Sequence, residues 1–120
     1  NVNNVEFARL AAEEVTEALS GTREFRRLKA LSKPITDYDL TTVLVDPPRA
    51  GLDSATLSLV SEFDQILYIS CNPLTLLDNL GQLTESHDII SLAFFDQFPY
   101  TDHLECGVNL RRRGHHEAIE

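Results

Sequence analysis

The longest stretch of this sequence without a basic residue covers half of the chain. Residues 50–110 contain no Lys or Arg and nine Asp or Glu, whereas residues 1–49 carry seven basic and eight acidic side chains. A phosphate-binding surface needs Lys or Arg, so this stretch cannot provide one. With a net charge of −9, the chain is not expected to bind nucleic acid as a free-standing module. Phosphate contacts would come from residues 23–33, from Arg49, from the 111–113 run or from chain beyond this sequence.

Cysteine is scarce as well, and long apolar runs are missing. Cys71 and Cys106 are too few for a disulfide framework, and no secretory leader is seen, so we expect two free thiols in a reducing cytoplasm. The two cysteines and four histidines lack paired zinc-ligand spacing, so no metal site is predicted.

No run approaches the roughly 20 apolar residues of a membrane helix. The sequence does not begin with Met, which raises the expectation of a truncated start.

The residues that are present have the composition of a small globular domain. Hydrophobic residues make up 42% and charged residues 24% of the 120 positions, which excludes disorder, collagen-like repeats and coiled coil as the main structure.

The hydrophobic pattern predicts alternating strands and helices. We expect strands at 5–10, 41–45, 66–69, 88–95 and 104–110, and helices at 11–19, 54–62 and 73–81, with a short basic helix within 22–31. The strands at 41–45 and 66–69 have no polar face, as in parallel sheets that are covered on both sides. Residues 96–103 are too few for a crossover helix, so the last two strands should form an antiparallel hairpin. The predicted fold is α/β, with a mostly parallel sheet and an antiparallel hairpin at its end.

Two unusual peptides follow the predicted parallel strands, where such sheets bind ligands. Asp46 precedes two prolines that hold the chain extended, so its carboxylate is either a rigid functional group or an ordinary strand-end residue. Cys71 stands just before a helix that starts at Pro73, where the helix dipole favours a thiolate. Cys71 is therefore either a nucleophile or a small buried residue.

The last hairpin and the tail contain further polar and aromatic residues. Phe98 and Tyr100 could stack on a planar base or could merely cover the core. Glu105 could be a general base or a solvated strand-end residue. His115 and His116 lie in a tail without an apolar face, and a frayed end is the better interpretation than a metal site.

Three segments together resemble the C-terminal half of the tRNA (uracil-5-)-methyltransferases, in order and in spacing, over about residues 4–110. The segments are Val45-Asp46-Pro47-Pro48-Arg49-Ala50-Gly51-Leu52-Asp53, Tyr68-Ile69-Ser70-Cys71-Asn72-Pro73 and Phe95-Asp96-Gln97-Phe98-Pro99-Tyr100-Thr101-Asp102-His103-Leu104-Glu105-Cys106-Gly107. The third segment favours the tRNA enzymes over their ribosomal RNA relatives.

The resemblance implies a Rossmann-like class I methyltransferase sheet and S-adenosyl-L-methionine-dependent methylation of uracil C5 in the T-loop of tRNA, which forms ribothymidine. Cys71 matches the nucleophile that adds to uracil C6, and Glu105 matches the base that removes the C5 proton. Asp46 matches a carboxylate of the cofactor and base pocket. Arg49 is expected to orient the base or to polarise its carbonyl, and Phe98 and Tyr100 are expected to line the pocket of the flipped base.

One part of the family pattern is absent. The five glycines never form a Gly-rich turn of the G-x-G-x-x-G kind. We therefore expect residues 1–113 to be a partial catalytic domain that lacks the N-terminal cofactor-binding strand-turn, and residues 114–120 to be a disordered tail. Such a chain should have little activity alone, should leave most tRNA contacts to an N-terminal region, and should be prone to self-association through an exposed sheet edge.

Two other functions are compatible with an α/β fold. A non-catalytic remnant or interaction module would not need Cys71 and Glu105 in these surroundings. An adenine amino-group methyltransferase would have an acidic or Asn-Pro-Pro motif after the corresponding strand, but it would need no cysteine nucleophile.

Overall fold

The computed structural model describes residues 12–20, 29, 31–95 and 104–114, which belong to two compact units, residues 1–39 and 40–120. In the first unit, helix α1 spans Ala12–Ser20, one residue later at each end than predicted. A 3₁₀ helix spans Ile35–Asp37, and the Lys33 ammonium lies 4.6 Å from the centroid of the Tyr38 ring. The predicted strand 5–10 and nearly all of the predicted basic helix lie outside the described residues.

The second unit contains all six elements predicted after residue 40. They are β1 (Thr42–Val45), α2 (Ser54–Val60), β2 (Gln65–Ser70), α3 (Pro73–Leu83), β3 (His87–Phe95) and β4 (Glu105–Arg112). Every boundary agrees with the prediction to within two residues, the range in which helix and strand ends are ordinarily ambiguous.

The four described strands form one mixed sheet in the order β1-β2-β4-β3. β1 and β2 are parallel, and β4 is antiparallel to both β2 and β3, so three of the four described strands run in the same direction. The predicted mostly parallel sheet with a terminal antiparallel hairpin is confirmed. The sequence did not indicate that the hairpin folds back, so that β4 lies between β2 and β3.

The core lies between one face of this sheet and the two helices α2 and α3. Alternate residues of β2 and β4 are buried, as expected for strands with one covered face. Tyr68 is paired with Val108 and Ile66 with Leu110, so the buried side chains of the two strands share that face. The buried apolar residues of the unit are Leu57, Val60, Ile66, Tyr68, Leu76, Leu80, Leu83, Cys106, Val108 and Leu110.

The prediction that β1 and β2 are covered on both faces is wrong for the second face, which is only partly covered among the described residues because the two described helices of this unit that pack on the sheet, α2 and α3, lie on the first. Leu44 on β1 is 63% exposed, and Leu67 and Ile69 on β2 are only partly buried. At the β4 side, the Phe95 ring lies over Gly107, where a Cβ would come within 3.3 Å of the ring. Because Gly107 has no side chain, the Phe95 ring can pack directly on its backbone.

Two arginines bind the end of β4 to residues near the end of α2 and the start of β3. The Arg112 guanidinium donates to the Ser61 carbonyl at 2.9 Å and lies 3.4 Å from the Asp64 carboxylate. The Arg113 Nε lies 2.9 Å from an Asp88 oxygen. Because β4 begins at Glu105 and ends at Arg112, these groups lie at the opposite sheet edge from Glu105.

None of the described helices is long and apolar enough to cross a membrane.

Candidate functional site

Three of the predicted site residues meet at one edge of the sheet. Asp46 follows the last residue of β1, and Cys71 follows the last residue of β2. β4 runs in the opposite direction and therefore begins at this same edge, with Glu105. Ser70 is paired with Cys106, and Cys71 and Glu105 are each one residue beyond this last pair of the register. The tertiary fold thus joins a thiol and a carboxylate that are 34 positions apart in sequence.

The groups at this edge are accessible to different degrees. The Asp46 and Arg49 side chains are exposed, and Cys71 and Glu105 are half-buried. Cys71 is a free thiol, as predicted, and so is Cys106, whose pKa is raised by burial. Phe98 and Tyr100 lie outside the described residues.

A local hydrogen-bonded turn fixes the backbone around Cys71. The Ser70 hydroxyl donates to the Asn72 carbonyl at 2.9 Å and accepts from the Asn72 N–H at 3.0 Å. Asn72 is also the N-cap of α3, where its Oδ1 accepts from the Leu74 N–H at 3.1 Å. Pro73 occupies the first turn, where no N–H is needed. Cys71 is therefore held between a strand end and a capped helix start.

The loop after Asp46 is a compact turn. The Gly51 N–H donates to the Pro48 carbonyl at 2.8 Å, and Gly51 has a φ of +81°, a conformation that side-chain-bearing residues rarely adopt. Asp53 closes the loop as the N-cap of α2 and accepts from the Thr56 N–H at 2.8 Å. Hydrogen bonds from the side chain and the backbone of Thr56 lower the pKa of the Asp53 carboxyl.

Helix α3 holds this loop through three polar side chains on one stripe. Asn72 Nδ2 and Thr75 Oγ1 donate to the carbonyl oxygen of Arg49 at 2.9 and 3.0 Å. Asn79 Oδ1 accepts from the Leu52 N–H at 3.0 Å, and Asn79 is itself buried. The loop that follows the Asp46 carboxylate is thus fastened to the helix that follows the Cys71 thiol.

Asn79 also contacts the sheet. Its Oδ1 accepts from the Tyr68 hydroxyl at 2.5 Å, and burial raises the pKa of Tyr68 to about 12. Sequence reasoning missed Asn72, Thr75 and Asn79 as parts of the site. The available signal was their spacing of three and four residues, which puts them on one helix face directly after the cysteine.

No group of three or more His, Cys, Asp or Glu among the described residues could hold a metal ion. Among the described residues, the predicted site groups at this edge are the Cys71 thiol, the Asp46 and Glu105 carboxylates and the Arg49 guanidinium.

This sheet, with its site at the carboxyl ends of β1 and β2, has the α/β fold of a methyltransferase-like protein. A solved relative supports this assignment: the structure of Pyrococcus abyssi tRNA (uracil-54, C5)-methyltransferase in complex with S-adenosyl-L-homocysteine. It matches with a TM-score of 0.53 and 37% sequence identity, over 57% of this chain and 17% of that chain.

The particular family follows from the sequence match. The model of the tRNA (uracil-5-)-methyltransferase family matches residues 1–113, and the chain belongs to that family. The match extends the resemblance past Leu110 to the end of β4.

Curated relatives carry the corresponding name. The tRNA/tmRNA (uracil-C(5))-methyltransferase of Cellvibrio japonicus is 59% identical over 112 residues, which are 93% of this chain and 30% of that protein. The protein of the same name from Neisseria gonorrhoeae is 56% identical over 93% of this chain and 31% of its own length. The chain thus spans about a third of the length of these relatives.

Proposed function

We propose that this chain supplies the nucleophile and the general base for S-adenosyl-L-methionine-dependent methylation of uracil C5 in the T-loop of tRNA, which forms ribothymidine. The observation that carries the proposal is that Cys71 and Glu105 each adjoin the Ser70–Cys106 pair, at the same end of β2 and β4. Membership of the uracil-5-methyltransferase family supports the reaction class.

Cys71 is assigned the role of nucleophile because uracil C5 is a poor nucleophile by itself. The Cys71 thiolate forms a bond to C6, and the electron pair of the C5=C6 double bond moves onto C5 and the C4 carbonyl as an enolate. Cys71 is half-buried and directly precedes Asn72, the N-cap of α3, so its backbone is held between a strand end and a helix start. The Cys106 thiol is buried, and burial raises its pKa.

Glu105 is assigned the role of general base. When bound, S-adenosyl-L-methionine would supply an electrophilic methyl group on a positively charged sulfur: the electron pair on C5 would bond to the methyl carbon as the methyl–sulfur bond breaks, which would leave S-adenosyl-L-homocysteine. The Glu105 carboxylate then takes the proton from C5, the electron pair re-forms the C5=C6 double bond, and the Cys71 thiolate leaves. The enzyme returns to its starting state with one proton to release.

Asp46 is the described residue that best fits a role in holding the methyl donor. Its carboxylate is exposed at the end of β1, and the two prolines after it have no N–H to occupy its oxygens. A carboxylate in this position can accept hydrogen bonds from the amino or hydroxyl groups that this donor carries.

Arg49, Phe98 and Tyr100 are assigned to the uracil. A guanidinium can donate to a uracil carbonyl, and aromatic rings can stack on a flipped base. Because residues 50–110 carry no basic side chain, most tRNA phosphate contacts would come from other parts of the enzyme. We place this enzyme in the cytoplasm, where both thiols stay reduced.

The proposal is tested by replacing Cys71. The enzyme for this test is a chimera in which residues 1–113 of this chain replace the matching segment of the full-length Cellvibrio japonicus relative. The substrate is a T-loop RNA with 5-fluorouridine at the target position, because fluorine cannot leave C5 as a cation and the covalent complex accumulates. We expect Cys71→Ala to abolish the covalent protein–RNA band and the transfer of labelled methyl to ordinary RNA.

The matched control is Cys106→Ala, which removes a thiol from the adjoining strand but not from the site. It should still form the covalent complex. An unchanged band in Cys71→Ala would contradict the proposal and would favour a non-catalytic module or a different chemistry. The 120-residue chain assayed alone should show little or no turnover, and robust turnover would contradict the expectation that further chain completes the cofactor site.

A further inference from the structure

We propose that Thr75 and Asn72 are positioning residues for the reaction: by binding the Arg49 carbonyl, they set where the Arg49 guanidinium lies relative to Cys71. This inference rests on the proposed function of Cys71. Neither residue is assigned any contact with the substrate.

The geometry that supports this inference is a double hydrogen bond to one backbone atom. The Arg49 carbonyl oxygen accepts from Asn72 Nδ2 at 2.9 Å and from Thr75 Oγ1 at 3.0 Å. The Thr75 hydroxyl also lies 3.2 Å from the Asn72 carbonyl, so its proton is shared between two acceptors. Two donors on a capped helix start fix the backbone of Arg49 while its side chain stays exposed.

A second backbone contact, at Leu52, also binds the loop to α3, so the loop cannot rotate about the Arg49 carbonyl. Oδ1 of the buried Asn79 accepts from the Leu52 N–H at 3.0 Å, and Nδ2 of Asn79 donates to the Leu52 carbonyl at 3.4 Å. Gly51 fits between the two backbone contacts, since a Cβ there would come within 2.9 Å of Asn79 Oδ1. The loop is thus held at both of its backbone contacts by the helix that begins after Cys71.

Arg49 matters here because the other arginines of its unit lie at the far end of β4. In residues 40–120 the basic side chains are Arg49 and the 111–113 run. The 111–113 run is at the far end of β4, and Arg112 and Arg113 are bound there to carboxylates and carbonyls. Arg49 is therefore the one guanidinium of the described second unit at the edge that carries Cys71.

The test compares variants of the chimera defined above. Thr75→Val keeps the shape of the side chain and removes the donor. Loss of a hydrogen bond to a positioned group should slow covalent complex formation with the 5-fluorouridine RNA about tenfold. Thr75→Ser restores the hydroxyl and should stay within about twofold of the parent rate.

The matched control is Thr84→Val at the other end of α3. The Thr84 hydroxyl also donates to a backbone carbonyl, that of Leu80, at 2.7 Å. Thr84→Val should lower the thermal midpoint about as much as Thr75→Val does and should leave the rate of complex formation unchanged. An equal loss of rate in both variants would show that Thr75 has only a structural role and would overturn the inference.

A double-mutant cycle shows whether Thr75 acts through Arg49. Arg49→Ala removes the guanidinium but keeps the carbonyl that Thr75 binds. We expect Thr75→Val to slow the Arg49→Ala variant little further, because the group that it positions is gone. A further tenfold loss would contradict the inference. Cys71→Ala, run in parallel, separates the two proposals: if it still forms the covalent complex, the proposed function fails rather than the positioning role.

Discussion

The two cysteines lie close together in the sheet register but are in different environments. Cys106 is paired with Ser70 and faces the core, where burial raises its thiol pKa. Cys71 is one residue past that pair and half-buried at the sheet edge. The local sequence around each cysteine does not predict whether its side chain is buried. Only the fold distinguishes Cys71, the candidate nucleophile, from Cys106, a core residue.

Glu105 offers a prediction that is specific to its assigned step. In the chimera, Glu105→Gln keeps the size of the side chain but removes the base. We expect methyl transfer to occur and the covalent complex to persist on ordinary uridine RNA, because the C5 proton is not removed. Denaturing gel electrophoresis with labelled RNA measures that complex.

Asp53→Asn is the matched control for Glu105→Gln, because Asp53 accepts from Thr56 and caps α2. An Asn side chain caps a helix nearly as well as Asp. This variant should release its RNA normally. If Glu105→Gln also released methylated RNA at the parent rate, Glu105 would not be the base.

At the level of elements, the backbone conformation of Gly51 is what allows the 46–53 loop to dock on α3. A residue with a side chain would be strained at position 51 for two reasons. Its φ would be +81°, and its Cβ would lie too close to the Asn79 amide. We expect Gly51→Ala to lower the free energy of unfolding by roughly 1–3 kcal/mol. Urea unfolding of the 120-residue chain measures this change.

Gly81 in α3 provides the opposite case. A Cβ there would meet nothing within 4 Å, and the residue is helical. Gly81→Ala should therefore raise the free energy of unfolding by roughly 0.5–1 kcal/mol. If the two substitutions changed stability alike, the strained turn at Gly51 would not be the cause.

The elements themselves were predictable because their signals are local. A β-branched or apolar run bounded by polar residues identified β1 and β2, and Pro73 marked the start of α3. The interior of α3 was less predictable. Leu74 and Leu77 point outward and are 77% and 66% exposed, whereas the polar Asn79 is buried. Asn79 is tolerated inside because Tyr68 and Leu52 donate to its oxygen.

At the level of the whole molecule, the sheet has two outer strands in its described part, β1 and β3. β3 carries apolar side chains on both faces, and Ile90, Leu92 and Phe94 are each more than half exposed. β3 is paired with β4 on one side only in the described part, and the free side of an outer apolar strand can pair with the same strand of a second copy. We therefore expect the 120-residue chain to self-associate by pairing of β3 strands from two copies. The associated fraction should rise with the chain concentration.

Leu92→Lys should shift the chain toward the monomer in sedimentation velocity, because a charge on an edge strand opposes pairing. Leu74→Lys is the control, since Leu74 is even more exposed but lies on the outer side of α3. It should leave the oligomeric state unchanged. A monomer in the parent chain at all concentrations, or an equal effect of both substitutions, would contradict association through β3.

The sequence by itself determined the family, the order of the described elements and the identity of Asp46, Cys71 and Glu105 as candidates. It could do so because periodicity, turn residues and short motifs are properties of neighbouring positions. The tertiary structure decided the insertion of β4 between β2 and β3, which places Glu105 and Cys71 next to the same pair of residues, Ser70 and Cys106. It also decided the fastening of the Arg49 loop to α3. Both depend on hydrogen bonds between residues far apart in the chain, and no local pattern records which distant partner a strand or a buried amide will find.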